Sequence, residues 1–286
     1  MEKIKITCDS TCDLTSHLYV QNQVEVLPLG ISLGDEFRQD GVNITSDELF
    51  SYVNSSGELP KTAAPSIGEY ENVFRKCTDR GYRVIHISLS SELSASYQNA
   101  CLAAEEVGNV NVVDSRSLSS GSGLLVLIAA EMASSGMSAE AIVKALDQKK
   151  EYLDVSFVLQ TLEYLHKGGR CSGLTSYGAS VLKLRPEIQV VDGKMQVGKK
   201  YRGELERSIF AYIRGRLEGK SDIDHRRIFI THSGVPQHLV EKVKELVKEL
   251  QPFQEVIESR AGCAISSHCG PNCLGVLFFK DPVEER

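Results

Sequence analysis

The sequence predicts an α/β fold in two domains: an N-terminal parallel sheet with helices on both faces, and a smaller α/β C-terminal domain. Three observations carry that expectation. Strand-like and helix-like segments alternate through the first half, the pattern of a sheet covered on both sides. Capping boxes and turn signals punctuate those segments at suitable spacing. The chain has 286 residues, 42% of them hydrophobic, enough for two cores of ordinary size. The boundary is placed near residue 154, dividing the chain into 1–154 and 155–286.

Residues 3–8 form a short β-rich run that ends in the polar turn Asp9-Ser10-Thr11, and residues 24–33 form a second strand. Thr45-Ser-Asp-Glu48 and Ser66-Ile-Gly-Glu69 are capping boxes, so helices begin near residues 46 and 67. Between them, residues 59–65 contain Pro60 and Pro65, each of which disfavours helix in the residue before it. That stretch is extended. Residues 83–88 read as a buried strand, 94–107 as a helix, 111–114 as a strand and 122–134 as an apolar helix. Ligands of such sheets collect at the carboxyl ends of the strands. Here those ends are rich in hydroxyls.

The second half changes character. Residues 154–160 are strand-like, 162–166 a short helix, and 187–197 a hairpin around Asp192-Gly193. Residues 227–231 form a buried strand. Residues 239–250 form an amphipathic helix with Leu239, Val243, Leu246 and Leu250 on one face. Residues 276–279 close the chain as a strand.

Composition restricts the function. A formal net charge of -6 argues against a nucleic-acid backbone as partner, which would call for a basic face. The charged start has no apolar signal region, and the longest apolar run, residues 124–130, is far too short to span a bilayer. A cytoplasmic protein without stable membrane insertion is expected. Its eight cysteines, at 8, 12, 77, 101, 171, 263, 269 and 273, are then reduced thiols. The spacing of Cys8/Cys12 and Cys269/Cys273 is not the C-x2-C of zinc sites, so no metal is expected.

Four constellations carry possible chemistry. Ser88, Ser90, Ser91, Ser94 and Ser96 crowd the passage from a strand into a helix. A single N-cap uses one serine; the surplus, with the unpaired N–H groups of a helix start, makes an anion site. Thr62 sits on the stiff extended loop, where a threonine usually bonds only its own backbone. His268 lies in a Gly/Pro loop and either donates to an anion or caps a turn. Lys167-Gly-Gly-Arg170 is a turn with two cations after a helix, and its glycines suit a contact surface. No nucleophile elbow, H-E-x-x-H or phosphate loop occurs. Gly121-Ser-Gly123 lacks the third glycine of a dinucleotide fingerprint. Asp9 and Asp13 read as parts of a capped turn. No catalytic residue is assigned.

Six motifs in order then add up to a resemblance. Asp9-Ser-Thr-Cys-Asp13-Leu, Leu59-Pro-Lys-Thr62-Ala-Ala-Pro-Ser66 and Leu89-Ser-Ser-Glu-Leu-Ser94-Ala-Ser-Tyr97-Gln are followed by Val113-Asp-Ser115, Lys167-Gly-Gly-Arg170 and His268-Cys-Gly-Pro271. Together they resemble the DegV family over essentially the whole chain. Two departures are Ala95-Ser96, where the family has Gly-Thr, and Gly270-Pro271-Asn272 in place of Gly-Pro-Gly. The resemblance implies a long-chain fatty acid buried at the domain junction, as ligand rather than cofactor. It further implies a carrier that offers the carboxylate to a separate fatty acid kinase, giving an acyl phosphate for phospholipid synthesis. Thr62 and Ser94 would hydrogen-bond the carboxylate, with the Ala95 N–H and His268 nearby, and Arg170 would meet the kinase. Burying roughly 14 methylenes at about 0.8 kcal/mol each gains on the order of 11 kcal/mol, ample for retention without an ion pair. Residues 124–130 are a candidate for part of the tunnel wall or an ordinary core helix. The competing reading is a hydrolase or transferase that uses the Ser88–Ser96 cluster with His268.

Overall fold

The computed structural model describes residues 2–170 and 184–281. Its first half contains β1 (Ile4–Asp9), α1 (Ser16–Gln21), β2 (Glu25–Leu27), β3 (Gly30–Leu33), β4 (Glu36–Gln39), α2 (Ser46–Ser56) and β5 (Lys61–Ala63). These lead into α3 (Ile67–Thr78), β6 (Arg83–Ser88), α4 (Ser96–Val107), β7 (Val110–Asp114), α5 (Ser119–Ser134) and α6 (Ala139–Lys149). The second half contains β8 (Leu153–Val158), α7 (Glu163–Lys167), β9 (Leu184–Val191), β10 (Lys194–Arg202), α8 (Leu205–Leu217) and β11 (Ile223–His232). It ends with α9 (Gln237–Leu250), β12 (Glu255–Arg260), α10 (Cys263–Cys269) and β13 (Leu274–Lys280).

The expected parallel sheet is present, in the order β2-β1-β6-β7. Strand order reverses between β1 and β6, where Cys8 lies opposite Ile87. That is the point at which open α/β sheets form a crevice beyond their carboxyl ends. Both predicted capping boxes form: Thr45 and Glu48 close the start of α2, and Ser66 and Glu69 that of α3. The strand expected over residues 24–33 is instead two strands in two sheets. Pro28 stands at the break, where its missing N–H and fixed φ end the ladder. β3 joins a small antiparallel sheet in the order β4-β3-β5, with Thr62 opposite Ile31.

The second sheet has six strands, β10-β9-β8-β13-β11-β12, so the part with fewer residues carries the wider sheet. Only its β11–β12 pair is parallel. Alternation along β11 sends Ile228 and Ile230 toward α8 and α9, while Phe229 joins the core around α5. The layers therefore run α3 and α4, first sheet, α5, second sheet, α8 and α9. Helix α5 is buried from Ser119 through Ala130. It touches β1 and β6 on one side and β8, β11 and β13 on the other. A helix apolar all round belongs in such a sandwich. Residues 124–130 are thus interlayer core, and the candidate tunnel wall there is corrected: only the start of the helix borders the cavity described next.

Candidate functional site

A cavity, partly open to solvent and with about 850 Å³ of non-atom space when the open solvent at its mouth is included, lies beyond the carboxyl ends of β1 and β6. The first half contributes Thr11, Leu29, Leu89, Leu93, Leu118 and Ser119, and the second Phe157, Leu165, Met195, Gly275 and Leu277. Its lining is mainly apolar, with a few polar groups, the usual constitution of a small-molecule site. Thr62, Ser94, Arg170 and His268 all stand on its wall. Four segments far apart in sequence meet there.

Thr62 projects from the middle of β5, and its Oγ1 lies 2.9 Å from Nε2 of His268. His268 is not in a loop, as its Gly/Pro neighbours suggested, but in the last turn of α10. This short helix starts at Gly262, which offers no capping side chain. Carboxylates from far away do the work instead. Asp13 Oδ1 accepts from the Gly262 N–H at 2.8 Å, and Asp40 accepts from the N–H groups of Cys263 and Ala264 at 2.6 and 3.3 Å. Acceptor oxygens there take up N–H groups that have no intrahelical partner. Asp9 and Asp13 are consequently not partners in one capped turn, because each serves a different distant element.

Burial, helped by the nearby Arg170 guanidinium, pulls the His268 imidazole down to about 4, so the ring is neutral at physiological pH. Nδ1 has no hydrogen-bond partner among the described residues. Gly168 lies directly against it, and a Cβ there would overlap Nδ1. This close approach explains the first glycine of Lys167-Gly-Gly-Arg170. It lets the chain pass over the histidine, a role that sequence reasoning missed when it assigned both glycines to a mobile contact turn. Arg170 is exposed at the rim, its Nη1 donating to the Gly168 carbonyl at 2.9 Å and its Nε to the Leu93 carbonyl at 3.4 Å.

The serine cluster proves more specialised than its composition implied. Ser88 donates to Asp9 at 2.9 Å, Ser90 to the Gly193 carbonyl at 2.9 Å, and Ser91 to Asp114 at 2.6 Å. Those hydroxyls tie the strand end to its neighbours and to the tip of the β9–β10 hairpin. Only Ser94 reaches the cavity wall, with its Oγ 2.9 Å from that of Ser96 and accepting from the Ser96 N–H at 3.2 Å. Ala95, immediately before α4, is exposed and stands beside the wall rather than on it. The cavity's apolar residues from the second half were also missed, because strand periodicity identifies a buried face but not which buried face borders empty space.

Among the described residues there is no group of three or more His, Cys, Asp or Glu able to hold a metal. No described helix is long and apolar enough to cross a membrane. Cys171 lies outside the described residues; Cys269 and Cys273 line the cavity as free thiols.

The chain matches known proteins over nearly its whole length. The family model described as "Uncharacterised protein, DegV family" matches residues 3–281. A DegV domain-containing protein of Caldanaerobacter subterraneus is 33% identical over 282 residues, covering 97% of this chain and 99% of the relative. A DegV family protein from Thermus thermophilus, solved for its fatty acid binding, superposes with a TM-score of 0.87 at 31% identity, over 97% of this chain and 99% of that one. DegV of Bacillus subtilis, described as a fatty acid binding protein, gives a TM-score of 0.85 at 26% identity, over 98% and 100% of the two chains. The chain belongs to the DegV family.

Proposed function

We propose that this chain binds a long-chain fatty acid in the cavity and presents its carboxylate to a separate fatty acid kinase. The observation that carries the reading is the Thr62–His268 pair, a neutral hydrogen-bonded couple set into the wall of a largely apolar cavity. Solved DegV relatives described as fatty acid binding support it. If His268 carries its proton on Nε2, it donates to Thr62 Oγ1, and the threonine hydroxyl is left to donate to a carboxylate. Ser94 and the Ala95 N–H are the further donors assigned to the same head group. Neutral donors stabilise an anion without locking it into a bidentate ion pair. The oxygen therefore stays available to attack a phosphoryl donor supplied by the kinase, and the acyl phosphate feeds phospholipid synthesis.

Arg170, exposed at the rim, is assigned to the kinase-facing surface. The hydrolase or transferase reading gains little from the site. A histidine held near 4 is a weak general base at neutral pH. Its unpartnered Nδ1 also lacks the orienting carboxylate of a nucleophilic triad.

Mass spectrometry of ligand extracted from purified protein, followed by incubation with a fatty acid kinase and ATP, tests the proposal. Recovered long-chain fatty acid and acyl phosphate formation are expected. Arg170→Ala should retain lipid while slowing phosphorylation. Failure to recover or bind any fatty acid would refute the carrier reading. Hydrolytic turnover without a kinase, lost in His268→Ala, would favour the enzyme.

A further inference from the structure

A second polar feature of the cavity is separate from the Thr62–His268 pair. Thr11 lies on the wall, is 1% exposed, and its Oγ1 has no hydrogen-bond partner. A buried hydroxyl left unpaired is unfavourable, and native structures nearly always supply a partner. The neighbouring wall hydroxyls are already engaged. Ser119 donates to Asp13 at 2.6 Å, and Thr231 is 2.7 Å from Ser120 Oγ. Leu29, Leu118, Ala261 and Ala264 supply apolar surface on the same cavity wall.

The position of Thr11 relative to the head-group site follows from α10. Ser10 and Asp13, on either side of Thr11, are both tied to the start of that helix. Ser10 donates to Asp40, whose carboxylate accepts from Cys263 and Ala264, and Asp13 accepts from Gly262. His268 is at the other end. At 1.5 Å per residue, Gly262 and His268 are separated by about 9 Å along the axis. An acyl chain whose carboxylate rests at Thr62 and His268 brings its middle, not its head, toward Thr11.

We propose that Thr11 is a second polar subsite that takes a hydroxyl carried near the middle of the acyl chain, so that mid-chain hydroxylated fatty acids are ligands of this cavity. The inference rests on the fatty-acid reading above and deepens it. An acyl hydroxyl can both accept from and donate to Thr11 Oγ1, restoring the bond that the side chain lacks. In a wholly apolar cavity the same hydroxyl would be buried without a partner and would weaken binding.

The test is equilibrium binding of octadecanoic acid and of its mid-chain and terminally hydroxylated derivatives to delipidated full-length protein. The mid-chain derivative is expected to bind at least as tightly as octadecanoic acid, and the terminal derivative more weakly. Thr11→Val should shift the ratio of the two affinities against the mid-chain hydroxyl by about fivefold, the usual worth of one hydrogen bond. Thr11→Ser, which keeps the hydroxyl, should preserve the wild-type ratio. Weaker binding of the mid-chain derivative by wild type, or an unchanged ratio in Thr11→Val, overturns the subsite and marks the Thr11 niche as space for water only. If octadecanoic acid itself fails to bind wild type, the fatty-acid reading fails, and the subsite with it.

Discussion

Asp9 and Asp13 leave the same strand end, both buried, yet their surroundings drive their protons in opposite directions. Burial works against the charge of Asp9, but it is outweighed by His86, Tyr70 and the Leu89 N–H, which together hold the carboxyl below its ordinary range. Tyr70 and Leu89 donate at 2.6 and 2.8 Å, and His86 Nε2 at 3.4 Å is an electrostatic neighbour more than a well-formed hydrogen bond. Asp13 faces burial with Ser119 and Gly262 as donors and the acidic Asp40 nearby. Its carboxyl is pushed up to about 8. A Cβ on Gly262 would come within 3.1 Å of carboxyl oxygens of both Asp13 and Asp40. One carboxyl of the pair staples the end of the first sheet, and the other shares the start of the helix that carries His268. Motif spacing does not decide between such roles; the donors brought by the fold do.

The comparison is broken most severely at Asp9. Asp9→Asn replaces an acceptor of three donors by an amide that can accept through only one oxygen, inside a fully buried network. Destabilisation of about 2–4 kcal/mol is expected from chemical denaturation. A loss below about 0.5 kcal/mol would show that the network is dispensable. In wild type, the Asp9 contribution is present above the unfolded pKa and is lost as pH falls through its depressed folded value.

Asp13 has the opposite sign and a smaller expected effect. Its folded pKa is raised above the ordinary 3.8, so its stabilising contribution is complete below that value and is lost as pH rises through about 8. Wild type should therefore lose stability as pH rises from about 3.8 to about 8, and little beyond. Asp13→Asn mimics the protonated acid and should flatten that decline, leaving the variant about 1 kcal/mol or more above wild type at the alkaline end. Parallel curves for the two proteins would show that Asp13 is ionised throughout.

The same contrast marks what could be read from sequence. Helices α2 and α3 carry their caps within four residues, and their starts are legible for that reason. Helix α10 draws its cap from Asp13 and Asp40, more than two hundred residues away in sequence. No local pattern announces it, and His268 therefore reads as a loop residue. The six motifs carried Thr62, Ser94 and His268 to one site, because functional groups recur in order even when the elements that hold them are hidden. Strand order in the second sheet, the small β4-β3-β5 sheet and the identity of the wall depend on pairings between distant segments. Those were out of reach.

The most direct measurement is calorimetric titration of delipidated wild-type and Thr62→Val protein with a long-chain fatty acid at neutral pH. Saturable binding by wild type is expected, weakened roughly tenfold to a hundredfold in Thr62→Val, as for loss of a hydrogen bond to a charged group. Absence of binding by wild type, or equal affinity of the two proteins, would contradict a carboxylate held by the Thr62–His268 pair.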